Sequence, residues 1–142
     1  MEHYTKEMLE GCGYTVENAK IIHVDLSMAD HGVLCLELTL NGNHWGCVFG
    51  GRVIGKGYLG AEEFEGSPMG IEYLMRIMDV VGVSRFNEMK GKYVRVVTEG
   101  AGSAVKIIGN IIEDKWFDSE LFFMEKNEKN KKKDEEVDNE NS

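Results

Sequence analysis

The chain has 142 residues, 42% of them apolar and 9% aromatic, with 17 glycines against one proline and a net charge of −9. That gives room for a single domain with a core of its own, and so many glycines speak for tight turns and close packing. The charge disfavours general affinity for nucleic acid, which needs a basic field; it admits plain solubility, or mimicry of nucleic acid toward a basic partner.

Three cysteines, Cys12, Cys35 and Cys47, are odd in number and lack CxxC spacing. This speaks against a disulfide framework or a zinc site and for a reducing cytoplasm. The chain has no run of 18 apolar residues, and its start, MEHYTKEMLEG, is too acidic and polar for a signal peptide. The expectation is a cytoplasmic protein with no membrane partner.

In chain order, residues 4–11 predict a short helix with Thr5 as N-cap and Gly11 and Gly13 at its end. From Ala19 the period changes to two, with Ile22, Val24, Leu26 and Met28 on one strand face and Ile21, His23 and Asp25 on the other. After the turn at residues 29–32, Leu34, Leu36, Leu38 and Leu40 alternate with Cys35, Glu37 and Thr39. Asn41-Gly42 then predicts a tight hairpin turn with positive φ. A third strand, residues 43–49, puts Trp45, Cys47 and Phe49 on one side. Residues 50–66 read as a glycine-rich connection, with at most a short strand at residues 52–54 and an acidic patch of Glu62, Glu63 and Glu65. Ser67-Pro68 opens the main helix, with Ile71, Leu74, Met75 and Met78 on its apolar face, Glu72 and Arg76 paired on the wet one, and Gly82 at its end. Ser84 caps a further turn.

Two more strands follow in KYVRVVTE, with Val94 and Val96 inward, and in AVKIIGNII; residues 100–103 turn between them. A short helix near residues 119–123 packs Trp116, Phe117, Leu121 and Phe122 on the body. The tail from residue 125 holds five lysines, seven carboxylates and one apolar residue, and is expected to be disordered. The fold class is therefore α+β: one domain over residues 1–124, with a five- to six-stranded, mostly antiparallel sheet or partly open barrel in the order β-β-β-α-β-β. One main helix and short terminal helices complete it, and residues 125–142 form the tail.

No phosphate loop of the GxxxxGK[ST] type is present, since the lysine of Gly55-Lys56-Gly57 has no hydroxyl after it. His23, Asp25, Asp30 and His31 could gather a metal, but without an HxH or HxxxH pair they read better as a polar strand face and a turn. No nucleophile elbow exists, so neither a catalytic residue nor a cofactor is assigned. What stands out is that no carboxylate occurs between Leu38 and Ala61. The segment offers bare amides at Gly50 and Gly51, rings at Trp45 and Tyr58, and cations at Arg52 and Lys56. Lys106 could supply a second wall, helped by the turn at residues 100–103. A ring face, an arginine fork and open amides are what an adenine- or phosphate-bearing ligand needs; the same residues could equally serve core, turns and bulges.

The segments SPMGIEYLMRIMDVVGV, MKGKYVRVV and IIGNIIEDKWFD resemble small accessory proteins of bacteriophages and prophages of gut Firmicutes, over residues 18–123. The resemblance implies a short accessory protein of a kind that often counters host defences, and with the missing catalytic motif the expectation is a non-catalytic counter-defence protein acting in the host cytoplasm. Its expected role is to sequester a small nucleotide-derived immune signal, as a homo-oligomer. The alternatives are an anti-CRISPR-type inhibitor that binds a basic surface of a host defence nuclease through Glu62, Glu63 and Glu65, and a small single-strand-binding barrel, which the charge disfavours.

Overall fold

The computed structural model describes residues 3–99 and 105–140, apart from the side chains of Asp30 and residues 137–140. Its elements are α1 (Lys6–Gly11), β1 (Thr15–Asp30), β2 (Val33–Asn41), β3 (Gly46–Lys56), β4 (Glu65–Gly66), α2 (Pro68–Val81), β5 (Tyr93–Thr98), β6 (Ile107–Asn110), β7 (Trp116–Asp118) and α3 (Ser119–Glu140). The strands form one curled antiparallel sheet in the order β4-β3-β2-β1-β5-β6-β7. The α+β class stands, with seven strands in place of five or six, because the short segments β4 and β7 pair onto the ends.

The inner face carries the core. Leu36, Leu38 and Leu40 of β2, Phe49 of β3, Val94 and Val96 of β5, Ile108 and Phe117 are fully buried beneath α2 and the start of α3. On the outer face, α1 covers only the β5–β6 half, where Leu9 meets Val97 and Ile107. Thr5 caps α1 as expected, its hydroxyl accepting from the Met8 amide at 3.1 Å. Ser67 does the same for α2 through the Gly70 amide, with Pro68 at the first helical position and Gly82 in the left-handed conformation at the end.

Several expectations are corrected. Residues 19–28 do not keep one face, because a bulge at Ile22 separates the pairs Ile21–Leu40 and His23–Thr39. Ala19 and Ile21 are buried before it, Ile22 is exposed, and Val24 packs on the core after it. The hairpin turn lies two residues further along than Asn41-Gly42: Gly42 and Trp45 close it, and the positive φ falls on His44. Because the side-chain period is two, a shift of this size leaves Trp45, Cys47 and Phe49 on the inner side.

Residues 50–56 are strand, not connection: bulges at Gly51 and Ile54 let β3 run through the glycines. On α2 the buried face is Gly70, Tyr73, Ile77, Val80 and Val81, while Ile71 and Met75 are exposed. Tyr73 supplies the bulk that the Ile71–Met75 stripe lacks. The turn after α2 is a 3-10 segment, Phe86–Glu88, preceded by Arg85 with no side-chain cap. The tail, expected to be disordered, continues α3 as helix to Glu140. Glu125 and Lys129, and Glu128 and Lys132, stand four apart in the favourable order, which supports a helix that buries nothing. The turn at residues 100–103 lies outside the described residues.

Candidate functional site

The seven residues singled out in the sequence fall in four places. Trp45, at the β2–β3 turn, is partly buried and packed against the core. Its ring lies on Gly42, where a Cβ would fall inside it. Gly50 and Gly51 form the bulge, with φ of 115° and 84°. A Cβ on Gly50 would overlap the carbonyl oxygen of Leu36, so this glycine is needed by the strand itself.

Arg52 points across the inner edge, its guanidinium 4.9 Å from the centroid of the Phe123 ring. Lys106 reaches the same neighbourhood from the other side and pairs with Glu120 at 2.8 Å. The Lys106 hydrogen bond chiefly holds the Glu120 carboxyl below its usual range, with a smaller contribution from Arg52. Lys106 is thus already paired with a carboxylate. Lys106 also borders a cleft of about 490 Å³ whose other charged residues are Glu99, Asp118 and Glu120. That cleft is acidic and does not suit an anion.

Behind Arg52 stands Tyr73, fully buried, whose hydroxyl has no hydrogen-bond partner among the described residues. Burial pushes its pKa up to about 12.

Lys56 and Tyr58 lie at the far end of β3 from Trp45, roughly 30 Å away at the usual rise of a strand. They share a hollow of about 590 Å³ with His31, Glu63, Phe64 and Glu65. The loop that forms it is unusual in what it shows to water. Tyr58, Leu59 and Phe64 are 67%, 87% and 63% exposed, interleaved with Glu62, Glu63 and Glu65. None of these three carboxylates belongs to an ion pair among the described residues. Gly57, at φ 152°, leaves space for the Phe64 ring to lie against the backbone.

Sequence reasoning named the glutamates but passed over Leu59 and Phe64. The signal was there in YLGAEEFE, where apolar and acidic residues are mixed and only Glu65, at the start of the two-residue β4, belongs to a strand or helix.

Among the described residues no group of three or more His, Cys, Asp or Glu side chains is placed to hold a metal ion. His23 and Asp25 sit on the outer face of β1, Asp25 opposite Glu37, and His31 is in the β1–β2 turn at φ 52°. Among the described residues no helix is long and apolar enough to cross a membrane. No family model matches the chain, and no match was found among curated proteins or solved structures.

Proposed function

We propose that this chain is a non-catalytic binding protein that grips a basic protein surface through the loop between Lys56 and Ser67. One observation carries the reading: two rings and two carboxylates, Tyr58, Phe64, Glu63 and Glu65, line one hollow at the end of the sheet. That set is complementary to arginine. A guanidinium stacks on an aromatic face and forks onto a carboxylate, which together contribute about 0.5–2 kcal/mol or more as the site dries. Leu59 and Glu62 extend the surface beyond the hollow.

With the resemblance to phage accessory proteins, the partner class is a host defence nuclease, whose nucleic-acid channel is a basic surface. The test is inhibition of CRISPR effector nucleases by the purified chain in a DNA-cleavage assay. The reading requires inhibition that weakens as salt rises, disappears in the triple variant E62K/E63K/E65K and survives Arg52→Ala. Cleavage unaffected by saturating protein across the panel would overturn it.

Sequestration of a small nucleotide-derived signal is the second reading. It draws on Lys56 and Tyr58 sharing the hollow, though Arg52 and Trp45 stand elsewhere. It calls for a nucleotide released by heat after incubation with lysate of defence-activated cells, and Lys56→Ala should abolish that recovery.

A further inference from the structure

The stretch without carboxylates has its middle on an open edge of the sheet. Among the described residues β4 pairs with β3 only at Gly55 and Lys56, and no other strand takes up residues 46–53 on that side. The hydrogen bond from the Gly42 amide to the Trp45 carbonyl, at 2.8 Å, fixes the alternation along β3. With Leu40 opposite Cys47 and Leu38 opposite Phe49, those two β3 residues turn their backbone groups toward β2. Gly46 and Val48 therefore turn their N–H and C=O groups outward, and the planar peptide after Phe49 turns the Gly50 N–H outward as well. Unpaired strand edges of this kind are templates for another strand, and proteins usually blunt them with proline, lysine or bulges. Here residues 46–49 carry none of these, and the bulge of Gly50 and Gly51 comes only after them.

We infer that this edge pairs with the same edge of a second copy, making one continuous antiparallel sheet across a two-fold axis at Val48. That axis sets Val48 against Val48 of the second copy, and Gly46 against Gly50 of the second copy. Val48 exchanges both of its outward backbone groups with its counterpart and each Gly50 N–H meets a Gly46 C=O, so the pairing makes on the order of four hydrogen bonds. Gly46 and Gly50 have no side chains to obstruct the approach. Val48, 52% exposed on the outer face, gains its own counterpart as neighbour.

Charge selects this surface over others for self-association. Two copies of a chain with net charge −9 repel wherever carboxylates meet. Across residues 46–53 they meet none, and the two Arg52 side chains fall about 25 Å apart in this register. A five-residue strand pairing lies below the area of a standard stable interface, so the dimer should be weak and dependent on concentration.

Sedimentation velocity over a wide concentration range, with amide hydrogen exchange at each concentration, tests this on the full chain. Expected are a dimer that grows with concentration and a Val48 amide that slows in parallel. Val48→Lys, which sets two cations on the axis, and Val48→Pro, which removes the outward N–H, should each weaken the dimer at least tenfold. Both should keep the wild-type circular dichroism, since an edge N–H facing solvent is not needed by the monomer. A single monomeric species at the highest concentration would overturn the proposal. So would a dimer that leaves the Val48 amide fast, or one that both variants leave unchanged.

Discussion

A glycine in this chain can be required by its backbone, by the ring laid on it, or by neither. Gly42 belongs to the second kind, because its φ is ordinary and the Trp45 ring occupies the place of a side chain. Gly42→Ala should therefore cost about 1–3 kcal/mol by displacing the ring, as overpacking does. Gly11, the last residue of α1, has nothing within 4 Å of an added Cβ and no positive φ. Gly11→Ala should stabilise by about 0.4–1 kcal/mol, since alanine has fewer unfolded states to lose. Urea titration of the two variants beside the wild type checks both signs. Tyr73 makes a prediction in pH. Its folded pKa, about 12, lies above the ordinary value of 10, so between these values the folded chain holds a proton that the unfolded chain has lost. Stability should fall as pH rises through that window, by about 2 kcal/mol at its far end. Tyr73→Phe should remove that part of the slope while costing little at neutral pH, because the hydroxyl it deletes has no partner among the described residues. An alkaline slope identical in the two proteins would rule this out.

At the scale of elements, α2 is held by a start and a stop that can be tested separately from its packing. Ser67 accepts from the Gly70 amide at 3.1 Å, and its own amide donates to the Ile54 carbonyl at 3.3 Å. Ser67→Ala removes only the first bond, so the expected cost is about 1 kcal/mol, read as a lower urea midpoint with an unchanged slope. These ends were legible because Ser-Pro and Gly act locally. The meander of β1, β2 and β3 was legible for a similar reason: the alternation of Leu34, Leu36, Leu38 and Leu40 needs no knowledge of the rest. The failures on the strands share one cause, an extra residue whose effect is not local. A bulge at Ile22 switches the face of β1, and bulges at Gly51 and Ile54 turn an apparent glycine loop into strand. Nothing in the sequence marks which residue a partner strand will skip. The candidate site suffered from the same blindness. Trp45 and Tyr58 look adjacent when the intervening glycines are read as a flexible loop, and the extended backbone of β3 drives them apart. Glu62, Glu63 and Glu65 could be seen as acidic, but the rings that make a surface with them gained meaning only once the fold left them exposed.

The whole molecule is covered unevenly, and its stability should follow the cover. The β5–β6 half of the sheet lies between α1 on one side and α2 with the first turns of α3 on the other. The anchoring part of α3 is short. Phe122 is buried, its ring 5.6 Å from that of Phe117, and Phe123 lies 5.2 Å from Tyr73. Lys126 then ties the helix to Glu72 at 2.9 Å. From Asn127 through Glu136 every side chain is exposed, so that segment gives the body no apolar burial. Ending the chain after Lys126 removes four lysines and six carboxylates and keeps the body strongly acidic. The truncated chain should unfold cooperatively with stability within about 0.5 kcal/mol of the full one, although its helical circular dichroism falls. Ending it after Asp118 instead strips both rings from Tyr73 and Phe117, a loss of about 3 kcal/mol or more by the usual cost of deleting buried aromatic side chains. Thermal unfolding of the two truncations separates anchor from extension. A large drop in melting temperature for the first would mean that residues 127–142 pack on the body, and the division of α3 drawn here at Lys126 would have to move.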